Sequence, residues 1–193
     1  MTQYAFYLDA ENCIGCHTCQ IACKDVHGLK VKENFRTVST YSCGNGYSPM
    51  MYHISMGCNH CENPVCMDAC SVDAMFRDDM GLIQIIDDCC IGCGDCISAC
   101  PYGAITMIAD TRIAAKCDGC RTLIESGEQA ACVASCLQRV LEFGPIEELQ
   151  AKHAMEKLVT DAAALPSSGL TSPNLLMRIK DCMIDPDYDR IVI

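Results

Sequence analysis

Short apolar runs separated by polar turns, with few sustained helical faces, predict a chain of small strands joined by compact loops. Gln3-Tyr4-Ala5-Phe6-Tyr7-Leu8-Asp9 is aromatic-rich and predicts a strand. From Asp25 to Gly57 the pattern predicts strands around a turn at Gly44-Asn45-Gly46. The longest stretch without a charge, Thr37 to Cys61, is rich in Ser, Thr, Gly and Asn, contains Pro49, and reads as sheet and turn. Val72-Asp73-Ala74-Met75, Leu82-Ile83-Gln84-Ile85-Ile86 and Gly103-Ala104-Ile105-Thr106-Met107-Ile108 predict three more short strands. Glu147 to Thr160 carries Leu149, Ala151, Ala154, Met155, Leu158 and Val159 at helical intervals, with Glu147 and Glu148 in its first turn. That pattern predicts one amphipathic surface helix, ended by Leu165-Pro166-Ser167-Ser168-Gly169. Thr171 to Ile193, with Pro173 and Pro186, predicts an irregular tail. Such a tail is either a disordered end or an arm on a partner subunit, and Leu175-Leu176-Met177 and Ile191-Val192-Ile193 favour the arm.

Cysteine changes this picture most. Among 193 residues there are 19 Cys, no Trp and 6 % aromatic residues, so a purely apolar core is not expected to carry the fold. Cys90, Cys93, Cys96 and Cys100 are separated by two, two and three residues and followed by Pro101. This is the bacterial-ferredoxin spacing for a [4Fe-4S] cluster: three thiolates point inward from one tight loop, and the fourth lies outside it and serves the neighbouring cluster. One such run therefore requires another. Cys13, Cys16, Cys19 and Cys23 repeat the spacing, with Ile14-Gly15 matching Ile91-Gly92, although Lys24 stands where a proline would close the run. In Cys58, Cys61, Cys66 and Cys70 the middle gap widens to four residues and holds Asn63-Pro64. In Cys117, Cys120, Cys132 and Cys136 the segment Arg121 to Ala131 reads as an insertion in a ligand loop.

Four groups of four leave Cys43, Cys89 and Cys182, which read as ordinary buried thiols. Cys89 adjoins Cys90, but the two-residue interval to Cys93 favours Cys90 as the ligand. His60 lies inside the second group; with three cysteines beside it, a supporting or packing role is preferred over ligation. Tyr41, Tyr47, Met50, Met51 and Tyr52 read as an apolar cover over a cluster, with a partner-binding surface as the alternative.

Other classes fit less well. A disulfide scaffold is short and does not repeat clustered two-residue spacings. Structural zinc needs two C-x-x-C pairs brought together, whereas two of these groups have a third cysteine at the same interval. The formal net charge of -11 argues against nucleic acid as a partner. Met1 to Cys13 shows no basic and apolar export signal and no twin arginine, and no apolar run approaches a membrane span. No phosphate loop, nucleophile with a base, or paired carboxylate set appears, so no catalytic residues are assigned.

These residues also carry a resemblance. The four groups in order, together with Ala22-Cys23-Lys24-Asp25, Cys58-Asn59-His60-Cys61, Cys100-Pro101-Tyr102-Gly103-Ala104, Lys116-Cys117-Asp118-Gly119-Cys120 and Phe143-Gly144-Pro145-Ile146, resemble the iron-sulfur subunit of the dimethyl sulfoxide reductase family of molybdenum or tungsten enzymes. The resemblance runs from Cys13 to about Asn174 and departs where Ser71 and Leu137 replace the prolines after the second and fourth groups. It implies an α+β fold of two ferredoxin-like halves, 1–35 with 110–146 and 36–109, each holding two clusters. A β insert at 36–57 and a C-terminal helix and partner-wrapping tail at 147–193 complete that division.

The resemblance further implies four [4Fe-4S] clusters with crossed ligation. Cluster A takes Cys13, Cys16, Cys19 and Cys136, and cluster B takes Cys23, Cys117, Cys120 and Cys132. Cluster C takes Cys58, Cys61, Cys66 and Cys100, and cluster D takes Cys70, Cys90, Cys93 and Cys96. The uncrossed alternative is one cluster per run. The function implied is a non-catalytic electron-transfer subunit between a large molybdopterin subunit and a quinol-linked membrane anchor or other redox partner, as in anaerobic respiration. The chain is then cytoplasmic or co-exported, membrane-associated through a partner. A free polyferredoxin is the alternative of a different class.

Overall fold

A computed structural model describes residues 2–44 and 50–192. Asn45 and Gly46 of the expected turn, and Tyr47, lie outside them. The first strand, β1 (Tyr4–Asp9), is buried on both faces. Side chains alternate across a strand, so Phe6 and Leu8 enter the main core while Ala5 and Tyr7 enter a smaller one with Leu149 and Leu176. Helix α1 (Thr18–Val26) follows, then a hairpin of β2 (Thr37–Cys43) and β3 (Met50–Met56).

The remainder repeats a simple unit. Short helices α2 (Val65–Asp68), α3 (Asp95–Ala99) and α5 (Ala131–Ala134) each carry one cysteine of a group and end just before the next. Strands β4 (Met75–Arg77) and β5 (Ile83–Ile85) pair between the second and third groups; β6 (Ile105–Met107) and β7 (Ala114–Lys116) pair between the third and fourth. Strand β8 (Leu141–Pro145), which leaves the fourth group, lies antiparallel to β1, which leads into the first. The chain is thereby closed, with its first and last cysteine groups side by side. The inserted segment of the fourth group forms α4 (Arg121–Glu125), where Arg121 bonds Asp78 and Asp79 at 2.9 Å and ties the insertion to the β4–β5 turn.

Two expectations need correction. The predicted helix over Glu147–Thr160 is only α6 (Ile146–Lys152). It stops because His153 stacks on Tyr7, at 3.7 Å between ring centroids, and bonds Glu142 and Glu156. Val159 then pairs with Met177 as a β-bridge, which a helix would forbid. Leu149 alone of the proposed apolar positions is fully buried, and Met155 is 100 % exposed. The second correction is the tail, which is not irregular. Residues Leu175–Arg178 form β9, parallel to β1, with Leu175 and Met177 in the main core and Leu176 on the other face. Residues Tyr188–Ile191 form β10, antiparallel to β2. The apolar triplet that suggested an arm therefore fills the chain's own core.

The tyrosines and methionines of the insert part company. Tyr41 and Tyr52 face each other across the hairpin, stacked 5.2 Å apart and buried, while Met50 and Met51 are exposed.

Met177 has no exposed surface. Met177→Ala is expected to cost about 2–5 kcal/mol and to lower the thermal midpoint by several degrees, while Met155→Ala changes stability by less than about 0.5 kcal/mol. A comparable loss in both variants would restore the continuous helix and the peripheral tail.

Candidate metal centre

In each group the third and fourth cysteines are four residues apart with helical backbone between them. Four residues of helix advance about 6 Å, so two such thiols on one helical face reach different places. Cys19 and Cys23 both lie on α1, and the amide of Cys100 donates to the carbonyl of Cys96 at 3.2 Å. The strand pairing decides what each fourth thiol meets.

Because β8 runs beside β1, Cys136 lines one small apolar cavity together with Cys13, Cys16 and Cys19. The β4–β5 hairpin brings Cys70 into a second cavity with Cys90, Cys93 and Cys96. Each has a cavity volume of only about 20 Å³. Cys89 sits in the 3-10 turn Asp87–Cys89, exposed to solvent and outside that cavity, so its reading as a buried thiol is corrected; Cys43 is buried and Cys182 half-buried. Of the other eight cysteines, Cys23, Cys58, Cys117, Cys120 and Cys132 are buried and Cys61, Cys66 and Cys100 are half-buried. Burial pushes the Cys61 thiol up to about 11 and the Cys66 thiol up to about 12, and nearby Cys58 and Cys100 add to both. Burial likewise raises Cys117 and Cys132, and Cys23 lies against both. Thiols this desolvated become thiolates only against strong positive charge, which is the donor chemistry of an iron-sulfur centre. No disulfide competes, since all 19 cysteines are free.

Backbone amides complete the loops. The amide of Ala74 donates to Cys70 Sγ at 3.3 Å and that of Ala104 to Cys100 Sγ at 3.5 Å, the same offset in successive groups. Gly119 N donates to Cys117 Sγ at 3.4 Å. Gly92 has φ +68 and Gly15 φ +65, and a Cβ at Gly92 would fall on the carbonyl oxygen of Arg112.

Several polar residues surround the thiols, and of these the sequence had singled out His60 for a supporting role. His60 is buried, its Nδ1 accepting from the Ile83 amide at 3.0 Å, so the ring props strand β5. His27 bonds the Cys23 carbonyl at 2.8 Å and Asp118 at 3.1 Å, closing the C-terminal end of α1 onto the fourth group. Lys116 is buried and donates to the carbonyls of Ile83 and Cys117. Arg36 is buried beside Ser55, whose Oγ lies 3.3 Å from Cys19 Sγ. The one sequence signal for Arg36 was its place at the edge of the uncharged stretch.

Comparisons with known proteins identify the family. A family described as "4Fe-4S dicluster domain" matches residues 49–146, and one described as "4Fe-4S binding domain" matches residues 4–25. The protein is 41 % identical to the "Probable anaerobic dimethyl sulfoxide reductase chain YnfG" of Escherichia coli and 40 % identical to another anaerobic dimethyl sulfoxide reductase subunit of that organism. Each match covers 92 % of this chain and 89 % of the relative. The chain belongs to the iron-sulfur subunit family of dimethyl sulfoxide reductase-type enzymes. A further member, the "Thiosulfate reductase electron transfer subunit PhsB" of Salmonella typhi, is 34 % identical over 76 % of this chain and 78 % of its own. As a member of this family the protein is a non-catalytic, [4Fe-4S]-binding electron-transfer subunit of an oxidoreductase. No helix among the described residues is long and apolar enough to cross a membrane.

The two repeat glycines are expected to differ on substitution. In the left-handed region a side chain costs roughly 1–2 kcal/mol at either site. Gly92→Ala must in addition displace backbone, whereas Gly15→Ala meets only the His53 ring. Gly92→Ala should therefore lose more iron per chain and more thermal stability than Gly15→Ala; equal losses would show that the close approach to Arg112 is unimportant.

Proposed function

We propose that the chain relays single electrons through four [4Fe-4S] clusters between a molybdopterin catalytic subunit, of molybdenum or tungsten, and a quinol-linked membrane anchor or other redox partner. The observation that carries this reading is that Cys136 lines a cavity with the first group and Cys70 one with the third. When bound, each cluster supplies a one-electron site whose potential depends on burial and on hydrogen bonds to its sulfurs. Cys13, Cys16, Cys19 and Cys136 hold cluster A; Cys23, Cys117, Cys120 and Cys132 hold cluster B. Cys58, Cys61, Cys66 and Cys100 hold cluster C; Cys70, Cys90, Cys93 and Cys96 hold cluster D. The shared cavities of Cys136 with the first group and Cys70 with the third support the crossed scheme over one cluster per run.

The same residues suggest an order. Cys19 and Cys23 share α1 and link A to B. Cys117 lies against Cys58 as well as Cys132, linking B to C. Cys96 and Cys100 share a helical turn and link C to D. At the two ends, Ile14 is 52 % exposed and Ile91 is 65 % exposed, each on the lip of its cavity. These lips mark where A and D come near partners, while the cysteines proposed for B are all buried. Strand pairs β1–β8 and β4–β5 support division into two ferredoxin-like halves, with 36–57 inserted and 147–193 adding strands to both three-stranded sheets. With β9 inside the core, the case for a partner rests on the named relatives and the exposed lips, not on a loose tail. The subunit is membrane-associated only through such a partner.

Cysteine substitutions separate the pairings. Cys66→Ser and Cys100→Ser should perturb one electron paramagnetic resonance signal, and Cys96→Ser and Cys70→Ser another. If Cys96→Ser instead shares its signal with Cys100→Ser, the crossed scheme is wrong.

A further inference from the structure

Arg36 lies in the loop before β2 and is 3 % exposed. Buried cations are normally matched by carboxylates. Arg36 has a different setting. Its Nη1 donates to the carbonyl and the hydroxyl of Ser55, both at 3.1 Å, and its Cζ lies 4.4 Å above the ring of Phe6. Its Nη2 is buried without a hydrogen-bond partner among the described residues. Burial by itself disfavours the charge, but Cys132, Cys117, Cys19 and Cys23, when ionised as cluster ligands must be, outweigh that and raise its pKa above the ordinary guanidinium value. Ser55 connects it to one of these directly, through the 3.3 Å contact with Cys19 Sγ. The site leaves little room for anything else, since a Cβ at Gly57 would lie 3.3 Å from Nη2.

We infer that Arg36 is a fixed, desolvated positive charge that raises the reduction potentials of clusters A and B, whose cysteines surround it. The inference rests on the cluster assignment proposed above. Reduction adds one electron, and hence one negative charge, to a site already rich in thiolate. A permanent cation in a water-poor interior favours the reduced form more strongly than it would at the surface. Ser55 strengthens the coupling by holding the guanidinium fork against Cys19. The ligands of cluster D are not among the thiols that act most strongly on Arg36, and D should feel it less. Arg36 is thus a positioning and tuning residue: it faces ligands and takes no part in bond chemistry.

The test is a potentiometric titration of the cluster-loaded protein, followed by electron paramagnetic resonance, on wild type, Arg36→Gln, Arg36→Met and Arg36→Lys, with iron and sulfide measured first. Removing the charge should shift the reduction equilibria of A and B about tenfold toward the oxidised form, about 59 mV more negative for one electron. The signal lost in Cys96→Ser, assigned to D, should stay in place, and Arg36→Lys should restore most of the shift. Unchanged midpoints in fully loaded neutral variants would overturn the inference and leave the cluster assignment intact. So would a lysine variant shifted as far as the neutral ones. Should both neutral variants lose iron while Arg36→Lys keeps it and its midpoints, the charge is confirmed as what the thiolates require. Loss of iron in all three would leave a packing role and overturn the tuning role. A wild type without [4Fe-4S] signals would overturn the assignment and the inference together.

Discussion

The third and fourth thiols of each group stand one helical turn apart, about 6 Å along the axis, and the proposed crossed ligation depends on that offset. Cys19 and Cys23, Cys66 and Cys70, Cys96 and Cys100, and Cys132 and Cys136 all stand in this relation. Under that proposed scheme the fold must bring a second group back to each. The β4–β5 hairpin does so locally, between neighbours in sequence. The β1–β8 pair does so across most of the chain, which is why the first strand is buried on both faces and tolerates no solvent side.

The second consequence is electrostatic. A core that holds cysteines such as Cys19, Cys23, Cys117 and Cys132 beside Phe6, Leu8 and Tyr52 has few polar groups with which to steady negative charge. It uses backbone amides at Cys70, Cys100 and Cys117, and two buried cations, Arg36 and Lys116. Both cations bond neutral oxygens instead of carboxylates. Carboxylates there would neutralise the cations at the cost of adding negative charge to sites already crowded with it. The acidic residues instead lie mostly outside, consistent with a formal charge of -11.

The C-terminal segment shows how a small core with 6 % aromatic residues is completed. Strand β9 supplies Leu175 and Met177 to one side of the central sheet and Leu176 to the other, and Val159 closes its free edge. Strand β10 then extends the inserted hairpin. Both ends of the chain are thus held in sheets, and the polar knot of Tyr7, Glu142, His153 and Glu156 fastens α6 to β1.

Cysteine spacing by itself made the [4Fe-4S] chemistry of this protein readable, because thiolates must return at fixed short intervals to surround a cubane, and the strings around the cysteines carried the family. Strands β1, β5 and β6 were readable too, since each is a short apolar run directly before or after a group, whereas β4 starts only at Met75, where the expected run Val72–Met75 ends. Only the tertiary structure decided that Leu175-Leu176-Met177 is a core strand, because a parallel partner at the opposite end of the chain leaves no local periodic signal; the registers Phe6 to Leu175 and Leu8 to Met177 exist only once the chain has closed. The same holds for the end of α6, where Val159 is drawn off by Met177 against its helical periodicity. Arg36 was equally silent in sequence, for an arginine beside an uncharged stretch looks like a surface residue until Ser55, Phe6 and the thiols of two distant groups converge on it. Short-range covalent spacing wrote the site, and long-range pairing, which no local pattern records, decided what surrounds it.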